Sequence, residues 1–259
     1  MPASLNKKFK GKTLYMVAAT LRPETMYGQT NCFVLPEGEY GVFKMANNEH
    51  YIMSERAAKN MAYQELTAEE KVYKPLATVK GTELIGKRVK APLTTYEHVF
   101  VLPLPTISMV KGTGIVTSVP SDAPHDYQML VDLQTKAKLR SDLGVDEAWV
   151  KDFAPIPIIE IPGMGDLSAK HACEEMKIQG HKDHKKLNEA KDLCYQKGFL
   201  EGVCIVGAGK GMKVEEAKPV VKQLMVESGE AFLYFEPERE VLSRTGDSCI
   251  VALVDQYLL

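Results

Sequence analysis

The sequence predicts a mixed α/β fold, with a closed or strongly bent sheet in the first half and helices in the second. Short apolar runs rich in β-branched and aromatic residues fill the first half, and turns containing glycine and proline separate them. Charged amphipathic stretches dominate the chain after residue 165. A chain of 259 residues buries roughly three quarters of its surface on folding, so it can form a substantial core.

Strand-like runs occur near both ends of the chain. They cover residues 14–20, 31–35, 98–104, 114–119 and 248–254. A further extended run at 154–163 contains prolines, which favour the edge of a sheet. We therefore expect one domain whose terminal strands pair within a single core.

Helices are predicted between and after these strands. The amphipathic stretches are 54–64, 125–144, 169–178, 187–196 and 214–228. Ser54 and Ser168 are the predicted N-caps of the first and third helix, because serine side chains accept hydrogen bonds from the first free N–H groups. Gly198 and Gly229 are expected to end the last two helices.

Composition and charge exclude several classes of protein. Apolar residues make up 45% and charged residues 25%, which argues against disorder and against a chain of membrane spans. The 32 basic residues nearly balance the 34 acidic ones, so any recognition of RNA must be local. The five cysteines form no CxxC motif, and no secretory apolar region follows the basic N-terminus. We expect a cytosolic protein that does not bind a membrane.

Weaker motifs suggest other chemistry. The GAGKG segment at 207–211 lacks the spacing of a phosphate-binding loop, so a glycine turn before a helix is favoured over a nucleotide site. His181 and His184, with His171 and Cys173, could suggest metal ligands, but the lysines around them favour a solvated helical face. We predict no metal. No cysteine lies in a recognisable nucleophile turn.

Two segments indicate a ligand pocket. The first, AATLRPETMYGQTN at 18–31, gathers three threonines around an arginine and a glutamate at the end of an apolar strand: Thr20, Thr25, Thr30, Arg22 and Glu24. The second, at 111–127, contains a Gly-Thr-Gly turn that exposes backbone donors and acceptors. The competing interpretation is that the threonines are β-forming residues at a turn and that Asp126 caps a helix beginning near Tyr127.

These segments resemble the editing domain inserted into class I leucyl-tRNA synthetases of the cytosolic eukaryotic or archaeal type. The matching stretches are TLRPETMYGQTN, GTGIVTSVPSDAPHDY, PIIEIPGMGDLSA and VLSRTGDSCIVAL. Isoleucyl and valyl relatives are expected to carry a TTTPWT-like segment in place of TLRPET. The resemblance implies one editing domain over residues 11–254, with a β-barrel core and surrounding helices. It also identifies residues 166–197 as a lysine-rich helical insertion.

The resemblance implies an aminoacyl-tRNA deacylase. Such a domain hydrolyses the ester that joins a wrong amino acid, such as norvaline or isoleucine, to the terminal adenosine of leucine tRNA. A second site is needed because one methylene group provides only about 1 to 3 kcal/mol of discrimination. The HIGH and KMSKS signatures of the ATP-dependent aminoacylation site do not occur in this sequence, so we do not expect the fragment to activate leucine. The implied partners are leucine tRNA and the remainder of the synthetase, which the apolar run 251–259 would rejoin.

The resemblance also implies roles for individual residues. Asp126 would hold the α-ammonium group of the substrate, and Thr25 would exclude the leucyl side chain. Thr20, placed with these two among the catalytic residues, would line the region of the amino acid and the terminal nucleotide together with Arg22. The implied substrate-binding residues are Arg22, Leu21, Thr30, Gly112, Thr113, Gly114, Val119, Ser121 and Asp122. Val119 would line the side-chain pocket and the Gly-Thr-Gly turn would approach adenosine, whereas Asp122 has a competing role in capping a turn.

No cofactor is implied, because a positioned water and the substrate's own vicinal hydroxyl can suffice to cleave an activated ester. The diol of adenosine also suggests that diol-trapping boron heterocycles could occupy the pocket together with adenosine monophosphate. A non-catalytic insert that docks RNA through the lysine-rich region is an alternative, and a nucleotide-binding enzyme using GAGKG is another. Turnover distinguishes them, because a docking module would protect the ester.

Overall fold

A computed structural model describes residues 1–254 as a mixed α/β fold. Its strands, in chain order, are β1 (Leu14–Met16), β2 (Asn31–Val34), β3 (Glu39–Lys44), β4 (His50–Met53), β5 (Ala77–Lys80), β6 (Arg88–Val89), β7 (Val99–Pro103), β8 (Ile115–Ser118), β9 (Ile159–Glu160) and β10 (Val203–Cys204).

The helices surround these strands. They are α1 (Ala3–Asn6), α2 (Glu55–Ala62), α3 (Gly81–Leu84), α4 (Pro124–Thr135), α5 (Ala137–Leu143), α6 (Ser168–Glu175), α7 (His184–Glu201) and α8 (Val214–Glu227). Short 3-10 helices cover Pro23–Gly28, Glu147–Trp149 and Gly207–Gly209.

The strands form two four-stranded sheets and one antiparallel pair. The first sheet has the order β1-β4-β3-β5, and the second has the order β6-β7-β2-β8. The pairs β1–β4 and β2–β7 are parallel, whereas the other neighbours in both sheets are antiparallel. Strands β9 and β10 pair with each other.

Successive side chains of the strands point in opposite directions and pack into different layers of the core. Val42 and Ile52 face the second sheet, where they join a buried cluster with Cys32, Val34, Val101 and Ile115. Their neighbours Phe43 and Tyr51 pack instead with residues of α2. On the far side of the second sheet, Phe33 packs with residues of α4. Because successive side chains of a strand point to opposite faces, both sheets are covered on both sides.

A separate core lies among α6, α7 and α8. It contains Leu187, Ala190 and Val221 from the helices, together with Ile158 and Ile159 from the β9 region. Met26 of the first 3-10 helix and Val119, which follows β8, belong to the same cluster. Helices α6, α7 and α8 therefore pack against two connecting segments of the second sheet, the one that precedes β2 and the one that follows β8.

The mixed α/β class is confirmed, but the barrel is not. Within residues 1–254 the hydrogen-bonded order of each four-stranded sheet has two ends, so neither sheet closes on itself. The sheets instead face each other across a shared core.

The prediction of a terminal strand at 248–254 is wrong. Ser248 forms only an isolated bridge with Leu242. The backbone N–H of Val251 donates to Asn60 Oδ1, and that of Leu253 donates to the carbonyl of Tyr63. The backbone N–H groups of this apolar run therefore find hydrogen-bond acceptors at the end of α2, and not at a sheet edge. The part of the apolar run 251–259 beyond residue 254 lies outside the described residues.

Some helix boundaries also differ from prediction. The predicted helix 125–144 is two helices, α4 and α5, because Lys136 leaves the helical conformation. Helix α4 begins at Pro124, a residue suited to the first turn, so Asp126 is not its N-cap. Helix α7 continues beyond Gly198, which lies within it, and ends before Gly202.

The two predicted serine caps have different outcomes. Ser54 is an N-cap, since its Oγ accepts from Ala57 N at 3.3 Å. Ser168 is the first residue of α6, and its buried Oγ has no hydrogen-bond partner. Strands β3 to β6 have no counterpart in the predicted elements, because polar residues interrupt their apolar pattern.

Within residues 1–254, no helix meets the length and hydropathy needed to cross a bilayer. The cysteines Cys32, Cys173, Cys194, Cys204 and Cys249 are all free.

Candidate functional site

Residues 17–30, here called the threonine loop, connect β1 to β2. Within this loop Thr20 Oγ1 accepts from Arg22 N at 3.0 Å, and Thr25 Oγ1 donates to the Arg22 carbonyl at 2.8 Å. Pro23 starts the 3-10 helix that contains Thr25, as its fixed φ angle favours. Two of the predicted threonines therefore hold the backbone of the predicted arginine, while Leu21 is 86% exposed.

Residues 119–126, here called the aspartate segment, lead from β8 into α4. Asp126 accepts a hydrogen bond from Val119 N at 2.8 Å through Oδ2. Ser121 Oγ donates to Asp122 Oδ2 at 2.6 Å, and both of these residues are buried. The carboxyl group of Asp126 thus holds the backbone at Val119, where the aspartate segment begins. Asp126 is therefore neither a helix cap nor a free surface residue.

Pairing of β2 with β8 brings the threonine loop and the aspartate segment together. Asn31 pairs with Ser118, and Thr30 N donates to the Ser118 carbonyl at 3.1 Å. A Cβ atom on Gly28 would lie 3.0 Å from Ser121 Oγ and 3.1 Å from Val119 Cγ1, so any larger residue would have to displace these side chains. The two segments that the sequence singled out meet at one edge of the second sheet.

Arg22 interacts electrostatically with carboxyl groups from both segments. Its Nε lies 3.5 Å from Glu24 Oε1. Burial raises the pKa of Asp126 to about 7, although the hydrogen bond from Val119 N and the charge of Arg22 oppose the increase. Burial likewise raises the pKa of Asp122 to about 6, against the charge of Arg22 and the hydrogen bond from Ser121. The site combines one fixed cation with carboxyl groups that ionise near neutral pH.

Two residues at this site were absent from the predicted set. Glu24 is buried, its Oε2 has no hydrogen-bond partner, and burial raises its pKa. Tyr195 of α7 places its ring 4.4 Å from Arg22 Cζ, a cation–π contact. The sequence pattern places Glu24 beside Arg22 among the threonines, but it assigns Glu24 no role. Nothing local to Tyr195 indicates its contact with a distant arginine.

The Gly-Thr-Gly turn does not join this site. Gly112, Thr113 and Gly114 precede β8, whereas the aspartate segment follows it, so the length of the strand separates them. Their backbone groups are engaged: Gly112 N donates to Glu236, the Thr113 carbonyl accepts from Ser54 N, and the Gly114 carbonyl accepts from Tyr40. We therefore leave the turn out of the site proposed below.

Thr30 and the weaker motifs also have structural partners. Thr30 is fully buried, and its Oγ1 donates to Asn31 Oδ1 at 3.1 Å. His181 Nδ1 lies 2.6 Å from Asp132 Oδ2. In the GAGKG segment, Ala208 N donates to Tyr27 Oη at 3.0 Å, so this glycine turn packs on the threonine loop. No group of three potential metal-binding His, Cys, Asp or Glu residues occurs between residues 1 and 254.

Solved structures similar to this chain include GlLeuRS-CP1, with a TM-score of 0.82 and 44% identity, covering 88% of this chain and 82% of that chain. The editing domain of the P. knowlesi cytosolic leucyl-tRNA synthetase matches with a TM-score of 0.79 and 30% identity, covering 89% of each chain. No protein-family model matches the chain.

Among curated proteins, the cytoplasmic leucine–tRNA ligase of Dictyostelium discoideum is 50% identical over 250 residues. This alignment covers 96% of the present chain but only 24% of the relative. The chain thus spans about a quarter of the length of that relative.

Proposed function

The chain belongs to the editing-domain family of leucyl-tRNA synthetases, and we propose that it hydrolyses the ester between a wrong amino acid and the terminal adenosine of leucine tRNA. The observation that supports this most directly is the convergence of the threonine loop and the aspartate segment on Arg22. This arrangement offers a carboxyl group for an ammonium, a cation near the substrate's oxygen atoms, and a packed threonine beside them.

In this proposal Asp126 binds the α-ammonium group of the aminoacyl moiety. Its half-buried carboxyl group accepts a hydrogen bond from Val119 N, which holds it against the first residue of the aspartate segment. Burial alone disfavours the ionised carboxylate, but an incoming ammonium would favour it and lower the pKa from about 7. The substrate would therefore add a second positive charge beside Asp126, whose carboxyl group already interacts with Arg22.

Thr25 supplies selectivity in the same proposal. Its side chain is 3% exposed, and its hydroxyl is held by the Arg22 carbonyl, so its methyl group has a fixed position. A fixed group discriminates by excluding the branched leucyl side chain from the position in which its ester would be cleaved. Val119 lies at the same meeting point and would contact the shorter side chain that is accepted.

The proposed chemistry needs water and no covalent enzyme intermediate. A water oxygen attacks the ester carbonyl carbon, the bond from that carbon to the ribose oxygen breaks, and the proton released by the water ends on the adenosine hydroxyl. The vicinal hydroxyl of the ribose would stabilise the departing oxygen by donating a hydrogen bond. Diol-trapping boron heterocycles with adenosine monophosphate remain proposed ligands of this pocket, and no cofactor is included.

The wider assignments follow from the same family. We propose leucine tRNA and the remainder of a synthetase as partners, and a cytoplasmic location, because the curated relatives are named cytoplasmic leucine–tRNA ligases. Residues 11–254 would form one editing domain, with 166–197 as an insertion that includes α6 and most of α7. The two facing sheets would correspond to the two sides of the proposed barrel core.

Deacylation of norvalyl tRNA tests the proposal. Asp126→Ala should slow cleavage by about 30-fold to 5,000-fold, because an unpaired buried ammonium costs about 2 to 5 kcal/mol. Asp142→Ala is the matched control, since Asp142 is an exposed residue of α5. If the wild-type domain protects the ester, the docking alternative is correct. Cleavage by Asp126→Ala at the wild-type rate would remove Asp126 from the site.

A further inference from the structure

Positive charge is concentrated at the start of the chain. Residues 1–23 contain no Asp or Glu but include Lys7, Lys8, Lys10, Lys12 and Arg22, although the whole chain has a net charge of -2. The lysine-rich insertion 166–197, by contrast, contains seven lysines and six acidic residues. An unbalanced basic stretch attracts phosphate groups, whereas a balanced one has little net field. The N-terminal stretch is therefore the stronger candidate for an RNA-binding surface.

Lys12 contributes to an open pocket of about 410 Å³ on the first sheet. Lys44 and His50 also line it, and Lys12 Nζ lies 3.4 Å from His50 Nε2. Within residues 1–254, neither Lys12 nor Lys44 forms a salt bridge. The carboxylate of Glu49, which also lines the pocket, accepts hydrogen bonds from Asn47 and Tyr51. With the Glu49 carboxylate counted, Lys12 and Lys44 still leave the pocket a net positive charge, which favours an anion.

Tyr15 adds an exposed aromatic ring to the same pocket. Its side chain is 44% exposed, and its contact with Tyr51 is edge-on, with ring centroids 6.0 Å apart. Basic groups beside an exposed aromatic ring are the combination that binds single-stranded nucleic acid, because phosphates contact the cations and a base stacks on the ring.

The pocket and the proposed editing site lie on one continuous piece of chain. Strand β1 leads directly from Tyr15 into the threonine loop, and Val17 N extends the pairing with β4 by donating to the Ile52 carbonyl. Thr20 lies five residue steps after Tyr15, so their Cα atoms are at most roughly 18 Å apart. A single RNA strand with its last nucleotide near Arg22 could extend back to this pocket.

We propose that the pocket formed by Lys12, Tyr15, Lys44 and His50 binds the phosphates and one base of single-stranded RNA. Its identification as the 3′ end of a tRNA acceptor arm rests on the proposed function. Lys12 and Lys44 contact phosphate oxygens, His50 orients the Lys12 ammonium as a hydrogen-bond acceptor, and Tyr15 stacks on a base.

Binding of an uncharged, fluorescently labelled 12-nucleotide RNA ending in CCA tests this proposal. Affinity is measured by anisotropy at several salt concentrations for the wild-type domain and for the double variant Lys12→Gln, Lys44→Gln. The double variant should bind more weakly, and its salt dependence should lose about 1.4 of slope, roughly 0.7 for each phosphate contact. Tyr15→Ala should weaken binding about tenfold, while Tyr15→Phe should retain it.

The matched control is Lys182→Gln, Lys185→Gln, which neutralises two exposed lysines of the insertion. Unchanged binding by this control supports the proposal. Equal weakening by both double variants, no weakening by the first, or no RNA binding by the wild-type domain would overturn it. Because the RNA carries no ester, its binding is independent of deacylation. A domain that binds this RNA but does not cleave norvalyl tRNA in the separate assay would lose the proposed editing function and keep this pocket.

Discussion

Asp126 has a carboxyl group whose ionisation opposes folding. In the unfolded chain its pKa is near 3.8, whereas burial raises it to about 7 in the folded domain. Between these values the folded domain retains a proton that the unfolded chain has released. The free energy of unfolding therefore decreases as pH rises through about 4 to 7.

Asp126→Asn should reduce this pH dependence. The amide does not titrate in this range, and its oxygen can still accept from Val119 N. We expect a smaller difference in melting temperature between pH 5 and pH 8 than in the wild type, with Asp122 supplying the remaining decrease. Asp142→Asn, at an exposed position, should keep the wild-type profile. An Asp126→Asn profile identical to the wild type would contradict the assignment.

Thr25 tests selectivity at a single side chain. Thr25→Ala should permit hydrolysis of correctly charged leucyl tRNA and leave norvalyl cleavage largely intact, because the excluding methyl group is lost. Thr25→Tyr should fill the pocket and suppress cleavage of every aminoacyl ester. The measurement is the ratio of leucyl to norvalyl deacylation rates with equal amounts of folded protein.

The hydroxyl and methyl groups of Thr25 can be separated. Thr25→Ser keeps the hydrogen bond to the Arg22 carbonyl, which is worth about 1 kcal/mol, and loses the methyl group alone. If steric exclusion decides selectivity, the Ser and Ala variants should both cleave leucyl tRNA. A ratio that stays at the wild-type value in every variant would reduce Thr25 to a structural residue.

At the scale of elements, α7 contributes to the site from a distant part of the sequence. Tyr195 lies against the guanidinium group of Arg22. Burial raises the pKa values of Asp122 and Asp126, and the charge of Arg22 opposes both increases. Helix α7 therefore contacts the arginine of the threonine loop, whose charge acts on the carboxyl groups of the aspartate segment.

Tyr195→Leu should impair Arg22 positioning without unfolding the domain. Loss of a cation–π contact worth about 0.5 to 2 kcal/mol corresponds to a decrease of roughly 2-fold to 30-fold in kcat/KM. Because Arg22 holds the pKa of Asp126 down, the pH midpoint of kcat/KM should also move upward. Tyr195→Phe retains the ring and should restore both values. An unchanged midpoint in Tyr195→Leu would show that the ring only fills space.

At the scale of the whole molecule, residues 228–254, which follow α8 and contain no regular helix or strand, connect α2 with the Gly-Thr-Gly turn. Phe232 stacks on Tyr51 with ring centroids 5.7 Å apart. Glu236 pairs with Arg56 at 2.8 Å and accepts from Gly112 N at 3.0 Å. A segment without regular structure is thus held by polar contacts to two separate parts of the fold.

Glu236→Ala should destabilise the domain by about 1 to 3 kcal/mol, because Gly112 N and Arg56 lose their partner. Urea unfolding measures the change, and Glu238→Ala at an exposed neighbouring position should have little effect. The leucyl to norvalyl rate ratio should not change, since the Gly-Thr-Gly turn lies outside the proposed site. A changed ratio in folded Glu236→Ala protein would return the turn to the site.

The sequence by itself determined features that depend on near neighbours. The apolar runs predicted β2, β7 and β8, and Ser54 was recognised as a cap because its partner lies three residues away. Residue type singled out the two stretches that contain the threonine loop and the aspartate segment, whereas the site roles of Asp126 and Thr25 follow only from the family resemblance. Such signals arise from strand alternation and capping, which act over a few residues.

Only the tertiary structure decided which segments share a site. Antiparallel pairing of β2 with β8 joins the two predicted segments, while the direction of β8 places Gly112 at its opposite end. Packing of the helical layer brings Tyr195 to Arg22. The same packing lets α7 continue through Gly198, which local preference would have made a helix end. These contacts depend on which faces are buried together, and that choice minimises exposed apolar surface over the whole chain.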